Sequence, residues 1–186
     1  MRTEQRWFDC IYPKELRHYF SSRIQKDLQT IPDTNPIKEV ENFFIHGPTQ
    51  SGKTLLSARL LLQERKQIYL EGGPKNAYDI CVFISMDNLI RSIKSVYEKT
   101  NEMTETEIIA YYSNVRLLVI DDFGTVKTTD WVLSILYSII NNRYEGLKKT
   151  IINSNLSLNE IAKSLGDDRI TSRIERMCKV IRKKKF

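Results

Sequence analysis

Eight consecutive residues have the types and spacing of a phosphate-binding loop. Residues 47–54 read G-P-T-Q-S-G-K-T, which matches the pattern G-x-x-x-x-G-K-[ST]. Glycines let the backbone curl so that successive N–H groups face an anion, the lysine reaches the β- and γ-phosphates, and the hydroxyl binds Mg²⁺. We therefore predict Mg-ATP binding with Thr54 as a metal ligand. The predicted nucleotide ligands are Gly47, Pro48, Thr49, Gln50, Ser51, Gly52, Lys53 and Thr54.

A second motif follows an apolar run in the middle of the chain. Residues 116–122 read R-L-L-V-I-D-D, which is typical of a buried strand that carries carboxylates to the edge of a sheet. We predict that Asp121 holds Mg²⁺ through its water shell. Asp122 is the candidate general base, because a carboxylate one residue beyond can polarise the attacking water. The alternative is that both aspartates only cap the next turn.

Two further polar residues complete a candidate catalytic set. Asn155, with Asn153 as the less favoured alternative, ends a fourth apolar run and is predicted to orient that water or contact the γ-phosphate. Arg173 lies on a later predicted helix and is expected to reach a neighbouring molecule's ATP, where it would neutralise charge on the transferred phosphoryl group. The alternative is a surface arginine, or one paired with Glu175. The predicted catalytic residues are Lys53, Asp121, Asp122, Asn155 and Arg173.

Alternating strands and helices must position these motifs. Short apolar runs predict strands at residues 43–46, 80–84, 117–120, 150–152 and 180–181. Strands that alternate with helices favour an α/β fold with a parallel sheet that helices cover on both faces. Helices are predicted at about residues 14–28, after the phosphate loop to about residue 62, at 87–97, around 131–139, from about 157 to 166 and at 169–177.

Length and composition indicate one globular domain. The 186 residues suit a single core, with residues 1–40 as an N-terminal helical arm and residues 41–186 as an ATPase core with a basic C-terminal end. Hydrophobic residues make up 41% of the chain, which excludes a disordered protein. No apolar run approaches the roughly 20 residues of a membrane span, so we expect a cytoplasmic protein without membrane contact. The three cysteines have neither disulfide-framework nor zinc-site spacing.

The charge distribution favours a polyanionic partner. The formal net charge is +6, and residues 182–185 read R-K-K-K. Arg91 and Lys94 lie three positions apart on a predicted helix, where they can follow a phosphate backbone. Tyr111 and Tyr112 are candidates for stacking on bases, although packing in the core is the favoured interpretation of such a pair before a buried strand.

The motifs together resemble the DnaC and IstB group of AAA+ ATPases. The resemblance rests on GPTQSGKT, LLVIDDFG, NNRYEGLKKTIINSNLSLNEIA and GDDRITSRIERM, in that order, and covers about residues 40–182. It implies a five-stranded parallel sheet of order 5-1-4-3-2, ATP-dependent self-assembly and DNA contact. In the group's pattern Asn155 matches sensor I and Arg173 matches the arginine finger.

Two roles follow from the resemblance. The first is a minimal replicative helicase loader that hydrolyses ATP and binds single-stranded DNA, and the alternative is a transposition regulator bound to DNA. Only 46 residues precede Gly47, which is short for a helicase-gripping module, and 13 residues follow Arg173, so no C-terminal lid domain is expected. A small P-loop kinase is disfavoured because residues 123–152 contain no arginine-rich insertion. A non-hydrolysing ATP switch is disfavoured by the intact acidic pair.

Overall fold

The structure is a computed structural model that describes residues 40–73, 80–97, 103–124, 126 and 129–185. The predicted arm lies outside the described residues, apart from residue 40, and its helix at 14–28 remains a prediction. In chain order the described elements are β1 (Phe43–His46), α1 (Lys53–Leu70), β2 (Cys81–Ser85), α2 (Met86–Tyr97), α3 (Glu105–Asn114), β3 (Leu117–Asp121), α4 (Asp130–Glu145), β4 (Lys149–Ser154), α5 (Leu158–Leu165), α6 (Arg169–Met177) and β5 (Lys179–Arg182).

The five strands form one parallel sheet. Their order is β2-β3-β4-β1-β5, which is the predicted order 5-1-4-3-2 counted from the other edge, so that prediction is confirmed. In β1, Phe43 lies between Ile151 of β4 and Lys179 of β5. Because all strands run the same way, the segments that follow β1, β3 and β4 meet at one edge, where α/β proteins bind ligands. The two predicted nucleotide motifs therefore lie at the same edge of the sheet, with the end of β4 between them.

Helices cover both faces of the sheet. Phe43 and Ile45 of β1 pack with α1 on one face, while Phe44 packs with α2, α4 and α6 on the other. Successive side chains of a strand point to opposite faces, so each strand contributes to both apolar clusters. None of the helices in the described part of the chain combines the length and apolar character that a membrane span requires.

The sequence-based prediction omits α3. Its start is marked by a capping box, in which the Thr104 side chain accepts a hydrogen bond from the Glu107 amide at 3.3 Å and the Glu107 carboxylate accepts one from the Thr104 amide at 2.7 Å. A threonine followed three positions later by glutamate is a sequence signature of a helix start. The signal was therefore present, and α3 is an addition to the predicted order.

A fully buried arginine joins three elements of the second face. Arg143 of α4 donates hydrogen bonds to the carbonyl oxygens of Tyr112 at 2.8 Å and Val115 at 3.0 Å, and to Oγ1 of Thr150 at 2.9 Å. The final carbonyls of a helix lack partners within that helix. Arg143 therefore caps the carboxyl end of α3 and attaches it to α4 and β4. Burial lowers the pKa of Arg143 to about 9, so the guanidinium stays cationic at neutral pH.

Candidate nucleotide site

The chain between β1 and α1 curls tightly. Gly47, Gln50 and Gly52 have φ values of +150°, +66° and +79°, and Gly52 caps the amino end of α1. The Ser51 amide donates to the Pro48 carbonyl at 3.3 Å and closes the turn. Positive φ values turn consecutive amides toward one side, and the helix terminus adds partial positive charge. The loop thus has the backbone form that an anion site requires.

Lys53 lies across the mouth of this loop. Its ammonium donates hydrogen bonds of 2.8 Å to the carbonyl oxygens of Gly47 and Pro48 and to Oδ1 of Asn155. The side chain is only 6% exposed, and burial lowers the pKa of Lys53. An ammonium group has three N–H donors, so all three are engaged. The structure therefore brings Lys53 and Asn155 together, as expected for two residues predicted to contact the γ-phosphate.

Thr54 and Asp121 form the candidate metal-binding pair. The Thr54 hydroxyl donates to Oδ2 of Asp121 at 2.9 Å, although 67 residues separate the two in sequence. Burial raises the pKa of Asp121, and the hydrogen bonds from Asn153 and Thr54 oppose that rise. Mg²⁺ prefers oxygen ligands and keeps several waters. A hydroxyl beside a carboxylate fits that preference, so this pair would hold Mg²⁺ when the nucleotide is bound.

The buried side chain of Asn153 orients the carboxylate of Asp121. This fully buried residue donates from Nδ2 to Oδ1 of Asp121 at 2.8 Å and to Oγ of Ser57 at 2.6 Å. Ser57 in turn donates to the Lys53 carbonyl at 3.0 Å. A carboxylate needs a donor, which fixes the amide nitrogen on the Asp121 side. Both oxygens of Asp121 are thus occupied, and β3, β4 and α1 are joined beneath the loop.

Asn153, within β4, and Asn155, directly after β4, therefore have different roles. Asn155 is exposed and contacts Lys53, whereas Asn153 is buried and orients Asp121. The sequence interpretation left both open for a single position near the γ-phosphate. Sequence reasoning missed the part that Asn153 and Ser57 play together. Strand alternation offers the signal, because an asparagine one position before the end of a buried strand must find a hydrogen-bond partner.

We expect Asn153→Leu to weaken the Mg²⁺-dependent part of ATP binding by about tenfold, the lower range for loss of a side chain that orients a metal ligand. Leucine keeps the branched shape of the asparagine side chain, although it is somewhat larger, and removes the donor to Asp121. The measurement is ATP affinity at several Mg²⁺ concentrations and in excess chelator. ATP affinity in chelator should stay near the wild-type value. An equal loss with and without Mg²⁺ would show that Asn153 acts only on the loop.

Asp122 lies on a rigid turn at the mouth of the site. Its φ is +55°, a left-handed value that aspartate tolerates better than most residues, and the residue is exposed. The next residue, Phe123, donates from its amide to the Asn153 carbonyl at 2.8 Å, and its carbonyl accepts from Oγ of Ser154 at 2.7 Å. The turn is therefore attached to β4. The backbone of Asp122, the predicted general base, is thus fixed directly after Asp121.

Arg173 is held by α4 rather than by the phosphate loop. Its Nε donates to Oδ1 of Asn141 at 2.8 Å, and its guanidinium lies 5.2 Å from the centre of the Tyr144 ring. Both partners are on α4, and Arg173 is half-buried on α6. The structure thus separates Arg173 from the other predicted catalytic residues of the same chain. Stacking on Tyr144 and the hydrogen bond to Asn141 fix the direction of the guanidinium.

The residues predicted to contact DNA are only partly accessible. Arg91 and Lys94 are exposed on α2, and Arg91 forms an ion pair with Asp87 at 2.9 Å. Tyr112 is 7% exposed and its hydroxyl lies 3.1 Å from Oγ of Ser92, so it packs in the core. Tyr111 is 37% exposed. The tyrosine pair therefore offers one accessible ring.

Comparison with known proteins identifies both family and fold. Residues 15–184 match the model of the IstB-like ATP binding protein family. No curated protein matches the sequence. Similar solved structures include DnaI (20% identity, TM-score 0.61, 87% of this chain and 81% of that chain), the DnaC helicase loader (24% identity, TM-score 0.59, 87% and 86%) and replication initiator DnaA bound to AMPPCP and single-stranded DNA (19% identity, TM-score 0.60, 86% and 44%). At these identities the structures show a shared fold.

Proposed function

The chain belongs to the IstB-like ATP-binding protein family, and from that premise we propose that it is a Mg-ATP-hydrolysing AAA+ ATPase of DNA replication. Its most specific role would be that of a minimal replicative helicase loader that binds single-stranded DNA. The observation that carries the ATPase proposal is the convergence of Lys53, Thr54, Asp121 and Asn155 at one sheet edge. The similarity in fold to the DnaC helicase loader supports the role in replication.

The proposed hydrolysis divides its tasks among these residues. The loop amides and Lys53 would bind the β- and γ-phosphates, and Thr54 and Asp121 would hold Mg²⁺. Mg²⁺ supplies charge neutralisation at the phosphates when it is bound. Asp122 would accept a proton from the attacking water, and Asn155 would orient that water or the γ-phosphate. The ammonium of Lys53 must exchange its contact with Asn155 for phosphate oxygens, which links nucleotide binding to the position of Asn155.

Hydrolysis would depend on assembly. Arg173 stands away from its own chain's loop, held on α4, and this placement suits an arginine that acts on the nucleotide of a neighbouring copy. The proposed assembly is therefore an ATP-dependent oligomer in which each site is completed by the next molecule. An arginine finger contributes about 10³–10⁵-fold to turnover in other phosphoryl-transfer enzymes.

We predict that Arg173→Ala leaves ATP binding intact and lowers assembly- or DNA-stimulated turnover at least about 100-fold. The measurement is the ATPase rate as a function of protein concentration, with and without single-stranded DNA. Arg176→Ala, at an exposed position of the same helix, is the matched control. Mixing Arg173→Ala with Lys53→Ala should restore part of the activity, because one variant keeps the nucleotide site and the other keeps the arginine. Unchanged stimulated turnover in Arg173→Ala would refute action in trans.

The partner decides between the two biological roles. Asp122→Asn should bind ATP without hydrolysing it and so hold the ATP-bound form, while Lys53→Ala provides the nucleotide-free control. The tagged variants are purified from the native host, and the bound proteins are identified by mass spectrometry. Recovery of the replicative helicase with Asp122→Asn alone would support the loader. Recovery of a transposase would replace it with a transposition regulator, the alternative role that the sequence resemblance implies.

A further inference from the structure

The basic residues at the end of the chain lie beside the phosphate loop. β5 is the edge strand next to β1 and runs parallel to it, with Arg182 opposite His46. The pairing extends one residue further, since the amide of Lys183 donates to the carbonyl of His46 at 2.7 Å. The phosphate loop begins directly after His46. The basic run 182–185 therefore leaves the sheet at the point where the nucleotide site begins.

Gly47 permits a close approach between the two segments. A Cβ atom at this position would collide with the carbonyl oxygen of Lys183, and Gly47 has a φ of +150°. The same glycine gives its carbonyl oxygen to the ammonium of Lys53 at 2.8 Å. The backbone of Lys183 and the ammonium of Lys53 thus contact the same residue. The absence of a side chain at Gly47 serves this contact as well as the curl of the loop.

The charges of the two segments act on the same group. The pKa of His46 is lowered by burial and then by the positive charge of Arg182, with Lys53 acting in the same direction and Glu160 opposing them. Lys184 and Lys185 are exposed. Each residue advances the chain by at most about 3.5 Å, so both begin within about 7 Å of the Lys183 backbone. That distance is within the roughly 10 Å Debye length at 0.1 M salt.

We propose that residues 183–185 add positive charge to the polyphosphate of the nucleotide bound by the same chain. The inference rests on the proposed ATP binding and names a second source of cations for that site. Lysine ammonium groups bind phosphates as point charges and need no fixed geometry, which suits exposed side chains on a backbone that is itself anchored. The position against Gly47 favours the nucleotide over DNA as the target of this run.

The test compares two variants that lose the same charge. Lys184→Gln/Lys185→Gln removes two cations beside the loop. The control, Lys148→Gln/Arg176→Gln, removes two cations from the segment before β4 and from the last turn of α6, which precedes β5, at the opposite ends of the strands. Affinities for fluorescent ATP, ADP and AMP are measured at about 0.1 M and 1 M salt, where the Debye length falls from about 10 Å to about 3 Å. Thermal unfolding verifies that both variants fold.

The expected result is a loss of roughly 3- to 10-fold in ATP affinity for the first variant at low salt, the size typical of two exposed charge interactions. The loss should be smaller for ADP, smallest for AMP, and absent at 1 M salt, while the control matches wild type. Unchanged ATP affinity, or equal losses for all three nucleotides, would overturn the inference. Loss of single-stranded DNA affinity with unchanged ATP affinity would assign the run to DNA. Failure of the wild-type protein to bind ATP would refute the proposed function, and this inference with it.

Discussion

Lys53→Ala should weaken ATP binding by about 100-fold and remove measurable turnover. A hydrogen bond to a charged group contributes about 1.5–3 kcal/mol, and each 1.4 kcal/mol changes a dissociation constant tenfold. The ammonium is positioned by two loop carbonyls and by Asn155, so it is already aimed at the mouth of the loop before phosphate arrives. An alanine at this position removes both the charge and the donors. Isothermal titration calorimetry measures the affinity directly.

Two variants separate charge from geometry at this position. Lys53→Arg keeps the charge, but its planar fork does not reproduce the three donor directions of an ammonium, so ATP affinity should still fall. Lys163→Ala, at an exposed position of α5, should bind ATP as the wild type does. The free energy of unfolding of Lys53→Ala should change by less than about 1 kcal/mol, since relief from burial offsets the lost hydrogen bonds. ATP affinity near the wild-type value in Lys53→Ala would contradict the proposed role of the loop.

The order of elements is predictable because each motif has a local signature. Apolar runs mark the buried strands, and the capping box at Ser157 and Glu160 with Gly166 fixes both ends of α5, as the structure confirms. The helix predicted at residues 169–177 is observed with those bounds. The strand order was not readable from such patterns. It came from the family resemblance, since local periodicity does not state which strands are neighbours.

Residues that support the site from behind are harder to predict than the residues of the nucleotide motifs. The residues predicted to contact the nucleotide lie in short motifs. Asn153 contacts Asp121 from 32 residues away, and Ser57, 64 residues from Asp121, reaches it only through Asn153. Neither the type nor the spacing of these two residues indicates that they are in contact. The partners of Arg173 present the same difficulty, because Asn141 and Tyr144 become its neighbours only when α6 packs on α4.

Arg143 is the clearest case of a role that only the fold reveals. The resemblance includes a helix that ends in Arg143 and Tyr144, yet an arginine at a helix end is usually a solvated residue. Here the side chain is fully buried and its partners are oxygen atoms of α3 and β4. The omission of α3 and the unassigned role of Arg143 are connected, because Arg143 caps the carboxyl end of α3.

Arg143→Met should lower the free energy of unfolding by about 3–5 kcal/mol, because several buried neutral acceptors lose their donor together. Methionine fills much of the volume, but the carbonyls of Tyr112 and Val115 and the Thr150 hydroxyl lose their donor. Each buried acceptor without a partner costs about 1–3 kcal/mol. Urea unfolding followed by circular dichroism measures the change.

A matched arginine variant and local hydrogen exchange distinguish the capping role of Arg143 from a general effect of removing an arginine. Arg176→Met, at an exposed position of α6, should change the free energy of unfolding by less than about 0.5 kcal/mol. In Arg143→Met, hydrogen exchange should increase first in the last turn of α3, whose carbonyls Arg143 caps. Because α3 lies away from the phosphate loop, ATP affinity of the folded fraction should remain near wild type. If Arg143→Met lowered the free energy of unfolding as little as Arg176→Met does, the role of Arg143 would be refuted. Such a result would mean that the desolvation cost of the buried guanidinium cancels the free energy of its hydrogen bonds.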